Sequence, residues 1–134
     1  KPGLALLIGG TILIQAITFD NEIIDTDYPR EIAEIIEEDL EPGEQIYVSN
    51  YEHIIYYLLD MNTPTRFVHS VLLFSDYHKA FNVNAVQEVQ RIIAAKPEFV
   101  VVERKNELVE KLIKGKYSLI RRFRNNEIKL YKRN

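Results

Sequence analysis

The stretch Gln45 to Asp60, QIYVSNYEHIIYYLLD, passes from an extended pattern to a helical one across a short polar break. Gln45-Ile46-Tyr47-Val48 is β-branched and aromatic, as strands prefer, whereas Ile54, Ile55, Leu58 and Leu59 recur at the i, i+3, i+4 spacing of one buried helical face. Ser49-Asn50, between the two, supplies side chains of the capping type. A strand that runs through a short turn into a helix is the first half of a βαβ unit, whose helix covers one face of a parallel sheet. The rest of the chain must then provide more strands and a cover for the other face.

It does so in order. Upstream, Asp27 is placed to cap a helix with Pro29 in its first turn; Ile32, Ile35, Ile36 and Leu40 mark its apolar face, and Glu31, Glu34, Glu37, Glu38 and Asp39 line the rest. Downstream, Asn62-Thr63-Pro64 makes a turn and Thr65-Arg66-Phe67-Val68 reads as a second strand. In Val71 to Asn84 the apolar Leu72, Leu73, Phe74, Tyr77 and Phe81 are interrupted by Ser75, Asp76, His78, Lys79 and Asn82, so a loop with one helical turn is expected. Asn84 caps a helix with Val86, Val89, Ile92 and Ile93 on one face, stopped at Lys96-Pro97. Phe99-Val100-Val101-Val102 is the unbroken apolar run of a strand covered on both faces. Asn106 caps a short helix through Leu108, Leu112 and Ile113 that ends at Gly115, and the strands Tyr117 to Phe123 and Ile128 to Tyr131 join at Asn125-Asn126. The fold class is α/β: a small three-layer sandwich of about five strands, mainly parallel, with a C-terminal antiparallel hairpin at one edge.

Ahead of this domain, Gly3 to Phe19 carries no charge and only Thr11, Gln15 and Thr18 as polar side chains. That is about the shortest run that spans a membrane as a helix, ~17–25 residues. On this reading residues 1–19 are the end of a last transmembrane helix, Lys1 lies in the cytoplasm, and residues 20–134 form an extracytoplasmic α/β domain. There is no Met start, basic n-region or small-residue cleavage site to suggest a signal peptide, and a chain beginning in mid-run with Lys-Pro is expected to be cut from something longer. Two other readings compete: a hairpin turning at Gly9-Gly10, or a buried helix of a soluble core.

The net charge of −3 conceals a strong asymmetry: 11 acidic residues against one basic from Asp20 to Glu44, and 11 basic against three acidic from Arg104 to Asn134. Two such faces can attract each other within the fold, or the basic end can meet a phosphate-bearing partner. With no cysteine there is no thiolate nucleophile or disulfide, and His53, His69 and His78 are too scattered for zinc spacing, so no metal or other cofactor is expected.

No G-x-G-x-x-G, P-loop or G-x-S-x-G is present, and the turn Ser49-Asn50-Tyr51 lacks the glycines that admit a phosphate to the backbone. The candidate ligand site is therefore the set Asn50, Tyr51, Arg66, His69, Asp76, Tyr77 and His78, drawn from the ends of the first two expected strands and the irregular loop. Arg66 can hold a phosphate or carboxylate bidentately and the tyrosines can stack on sugars, although an ion pair of Arg66 with the acidic helix is the expected role ahead of ligand binding. Asp76 can orient His78, but no nucleophile accompanies them and no catalytic residue is assigned.

The order of features is also that of a family. The apolar span and acidic linker, Asp27-Tyr28 with Ile32-Ala33, Pro42-Gly43 before Ile46-Tyr47-Val48, Tyr56-Tyr57-Leu58, Pro64-Thr65-Arg66-Phe67, Lys96-Pro97 before Val100-Val101-Val102, and the closing Ile128-Lys129-Leu130-Tyr131-Lys132-Arg133 span nearly the whole chain. Together they resemble the C-terminal domain of bacterial membrane glycosyltransferases similar to dolichyl-phosphate-mannose protein mannosyltransferases and aminoarabinose lipid A transferases. The resemblance implies a periplasmic or extracellular domain, inactive alone, whose parent uses a polyprenyl-phosphate sugar through carboxylates in its membrane part. Its partners would be that membrane part, the bilayer, and a lipid-linked sugar or acceptor, with no nucleic acid. Two other classes remain: a free-standing α/β binding or interaction module, and a nucleic-acid binder through the basic hairpin, where Tyr117, Phe123 and Tyr131 interleave with Arg121, Arg122, Arg124, Lys129, Lys132 and Arg133.

Overall fold

The computed structural model describes residues 10–11, 26–67, 71–104 and 106–134, the side chains of Val71 and Tyr77 apart. Helix α1 (Tyr28–Asp39) begins as the sequence dictates: the Asp27 side chain accepts from the Arg30 amide, and Pro29 lies in the first turn. Strand β1 (Ile46–Ser49) follows the Pro42-Gly43 turn and leads to α2 (Ile54–Leu58). Two short helices, α3 (Val71–Phe74) and α4 (Tyr77–Ala80), precede α5 (Ala85–Ala94), which is capped by the Asn84 side chain on the Gln87 amide. Strand β2 (Phe99–Glu103), helix α6 (Glu107–Ile113), β3 (Tyr117–Phe123) and β4 (Ile128–Arg133) complete the order.

The four strands form one mixed sheet in the order β1-β2-β4-β3. β1 runs parallel to β2, with Tyr47 opposite Val100, while β4 lies antiparallel to both β2 and β3. This corrects two expectations. The sheet has four strands among the described residues, not about five, and one parallel pair rather than a parallel majority. The segment expected as a second strand instead bends at Pro64-Thr65-Arg66, with Val68 outside the described residues. Local bonding accounts for the loss: the Thr65 hydroxyl takes the Phe67 amide at 3.3 Å, and Thr63 Oγ1 donates to the Thr65 carbonyl at 2.7 Å, so these groups are diverted from a ladder. The strand that pairs in parallel with β1 is β2, some fifty residues on.

Helices cover both faces of the sheet over β1 and β2, which makes the three layers, while β3 is largely exposed. On one face Ile32 and Ile36 of α1 and Ile55 and Tyr56 of α2 pack on Ile46, Val48, Phe99, Val101, Ile128 and Leu130. On the other, Leu73 of α3, Val89, Ile92 and Ile93 of α5 and Val109 and Ile113 of α6 pack on Tyr47, Val100 and Val102. The run Phe99 to Val102 is fully buried because its alternate side chains feed both cores. No helix among the described residues is long and apolar enough to cross a membrane, and the run Gly3 to Phe19 lies outside them save for Gly10 and Thr11, which are helical.

Among the described residues β1 is an edge strand, and its outer side is closed by a side chain. The Tyr56 hydroxyl accepts from the buried Val48 amide at 2.9 Å, giving that donor the partner a missing strand would have supplied. Tyr56→Phe is expected to cost about 1–3 kcal/mol, since the Val48 N–H would stay buried without a partner. Urea unfolding of the two proteins checks this, and a difference of only a few tenths would show that the amide finds a substitute.

The opposed charges meet inside the fold. Arg121 pairs with Glu31 of α1 at 2.6 Å and Lys132 with Asp39 at 3.0 Å, so the basic hairpin lies along the acidic helix. Lys129 pairs with Glu110, Arg124 with Glu103, and Arg133 with Glu98. Each exposed pair contributes little alone. Together they use most of the hairpin's cations.

Candidate functional site

The two parallel strands end side by side, and each passes into a residue with left-handed backbone, Asn50 at φ 57° after β1 and Arg104 at φ 58° after β2. Asparagine tolerates this region well, which suits Asn50 to the sharp exit. Ser49-Asn50 therefore does not cap α2 as the sequence suggested: that helix starts at Ile54 behind His53, which makes no side-chain cap bond. Ser49 instead faces the other side of the sheet and accepts from Asn106 Nδ2 at 3.1 Å, while Asn106 Oδ1 caps α6 through the Val109 amide. One buried asparagine thus ties the ends of β1 and α6 together.

Tyr51 belongs to the core beneath α1 and α2, with its hydroxyl buried and without a hydrogen-bond partner among the described residues. The Arg124 guanidinium lies 6.0 Å from its ring and 5.9 Å from that of Tyr28, and Glu103 holds Arg124 at 3.0 Å. Burial is the main cause that pushes the Tyr51 phenol up to about 12, with Arg124 opposing it. The phenol is therefore neutral at ordinary pH and serves the core as a packed ring, not as an acid or base.

Arg66 lies on the other side of the sheet from Tyr51. Its guanidinium stands 5.6 Å from the Phe67 ring, and Phe67 is part of the core under α3 and α5. The expected pairing of Arg66 with the acidic helix is not among the described ion pairs. Its charge bears instead on Glu88 of α5, whose carboxyl is held below its usual range first by Arg91, with Thr65 and Arg66 as lesser causes. Arg91 also donates to the Pro64 carbonyl at 2.8 Å, pinning this bend to α5.

The remaining expected residues lie further along. Asp76 is fully exposed and pairs with Lys79 at 2.6 Å, which lowers its carboxyl pKa, so its partner is Lys79 rather than an oriented imidazole. His78 Nδ1 approaches the Ser75 carbonyl at 2.5 Å, and His78 also lines an open cavity of about 580 Å³ with Lys79, Asn82 and Val86. Tyr77 opens α4, and His69 lies outside the described residues. The six described residues thus divide: Asn50 and Tyr51 past the end of β1, Arg66 across the sheet, and Asp76, Tyr77 and His78 on the α4 turn.

The structure adds Glu103, Asn106 and Arg124 to the strand-end group. Glu103, the polar residue closing an apolar strand, was a readable sign; Arg124, carried there by the hairpin, was not. Among the described residues no group of three or more His, Asp or Glu side chains could hold a metal ion. No protein-family model matches the chain, and neither the curated proteins nor the solved structures include a match to it.

Proposed function

We propose that this chain is the non-catalytic extracytoplasmic domain of a membrane glycosyltransferase that draws on a polyprenyl-phosphate sugar, attached to the bilayer by Gly3 to Phe19 and set over the active-site mouth or beside the acceptor. The observation that carries the attachment is the uncharged run itself, followed within a few residues by a capped helix and a domain whose β1 and β2 are covered on both faces by its own helices. The glycosyltransferase part rests on the family resemblance. The outer side of α2 offers a surface for the parent protein: Ile54 and Tyr57, three residues apart, are 52% and 82% exposed. The neutralised hairpin favours this reading over nucleic-acid binding, because five of its cations already face carboxylates.

Partitioning tests the attachment. The full chain is expected to enter neutral phosphatidylcholine liposomes, and a chain starting at Asp20 is expected to stay in buffer with the circular dichroism of a folded α/β domain. If the full chain remained in buffer and the shorter one unfolded, Gly3 to Phe19 would belong to the core and the proposal would fail.

A further inference from the structure

At the end of the sheet away from Asn50 and Tyr51, where β3 begins and β4 finishes, lies a cavity of about 370 Å³. Its volume falls within the ~300–1,000 Å³ of small-molecule sites. Ile93, Ala94 and Tyr117 give it apolar walls, and Lys96, Lys116 and Arg133 bring three cations. The Tyr117 hydroxyl donates to the Pro97 carbonyl at 2.7 Å, so the ring is fixed in place. Lys96 stands just past the end of α5 in left-handed backbone, φ 55°, where the helix's carbonyl end draws an ammonium toward the rim.

The cations are not equally committed. Arg133 gives Nε and Nη2 to Glu98, at 2.9 and 2.5 Å, while its Nη1 has no such bond among the described residues. Neither Lys96 nor Lys116 is in an ion pair among the described residues, in contrast to Lys129 and Lys132 nearby on β4. A second cavity of about 300 Å³ shares Lys96 and Arg133 and holds the carboxylates Glu44 and Glu98, which accounts for the charge of Arg133 but not for those of the two lysines. Two uncommitted ammonium groups and a spare guanidinium nitrogen beside a fixed aromatic wall suit a compact dianion on an apolar body.

We propose that this cavity binds a phosphomonoester with an apolar or aromatic substituent, the phosphate held by the Lys96 and Lys116 ammonium groups with Arg133 Nη1 as an added hydrogen-bond donor, and the substituent set against Tyr117 and Ile93. The inference goes beyond the membrane reading and does not rest on it, since partitioning of the full chain leaves it unchanged. The probe is phenyl phosphate, titrated into the full chain while the amide signals of Lys96, Tyr117 and Arg133 are followed by NMR, with inorganic phosphate and phenol as comparisons. Saturable shifts of those signals are expected, with inorganic phosphate weaker by about tenfold or more because it lacks the stacking body. The double variant Lys96→Gln, Lys116→Gln is expected to weaken phenyl phosphate by about tenfold or more. Both lysines are exposed; should the double variant melt early, the single variants are read instead, each expected to lose about threefold. Unsaturable shifts, unchanged affinity in the lysine variants, or inorganic phosphate binding as tightly as the ester would each overturn the proposal.

Discussion

Phe99→Ala is expected to lower the unfolding free energy by about 3–5 kcal/mol, a large part of what a domain of this size holds. Phe99 has no exposed surface and lies in β2, a strand with neighbours on both sides, opposite Ile46 of β1 and Lys132 of β4. Its ring fills the core shared with Ile32 and Ile36 of α1, and the Lys132 ammonium stands 5.4 Å from the ring centre. Truncation leaves a void that strands hydrogen-bonded on both sides cannot close, and it removes a surface on which Lys132 reaches Asp39. Urea melts followed by circular dichroism read the loss from the midpoint, with the slope unchanged. A loss below about 1 kcal/mol would show that the core collapses around the gap. Tyr57→Ala, at a side chain 82% exposed, is the matched control and is expected to shift stability by no more than about 0.5 kcal/mol.

What the sequence made legible was whatever is set by near neighbours. Asp27, Asn84 and Asn106 cap their helices as read, because a cap bond spans three residues and needs no distant partner. Asn125 and Asn126 take positive φ as read, but the connection is not a tight two-residue turn: Arg124 shares that conformation and the loop runs from Phe123 to Ile128. Phe99 to Val102 announced a strand covered on both faces, since alternation disappears when both sides are buried. Thr65 to Val68 misled because its residue types suit a strand, whereas the Thr63 and Thr65 hydroxyls fold the chain back on itself. Strand order lay beyond reach: nothing local says that β4 inserts between β2 and β3, and that insertion makes the sheet mixed.

The same division holds for the candidate site. The place of Asn50 and Tyr51 just past β1 was legible because a strand's end is visible in sequence. Their separation from Arg66 was not, because it depends on the sheet standing between two cores. Arg124 comes to Tyr51 and Tyr28 through the pairing of β3 with β4 and β4 with β2, more than seventy residues away in the chain. The charge asymmetry carried a long-range message, borne out in the contacts of Arg121 with Glu31 and Lys132 with Asp39. Opposite fields on two segments identify which segments meet, though not through which residues.

Alkali is expected to unfold this domain through its buried phenols. Burial is the main cause that pushes Tyr47 from 10.0 to about 12, and burial likewise raises Tyr56. Below pH 10 the folded and unfolded chains both keep the proton, and nothing changes. Above it the unfolded chain loses a proton that the native chain retains, so the unfolded state binds fewer protons and stability falls with rising pH. The loss from Tyr47 accumulates between pH 10 and about 12, where its native phenol also ionises, and is on the order of a few kcal/mol. Tyr56 adds to it in the same direction. Lysine pairs at the surface also weaken as ammonium groups lose protons, so the wild-type curve alone does not isolate the phenols. Tyr47→Phe does: the Tyr47 hydroxyl has no hydrogen-bond partner among the described residues, so its removal leaves the fold intact near neutrality. Urea unfolding at a series of pH values should give the variant a shallower decline above pH 10, with fewer phenolate groups appearing only on unfolding. A variant that lost stability as steeply as the wild type would mean that the Tyr47 phenol ionises without leaving its site, and that the core around Val100 and Val102 admits water.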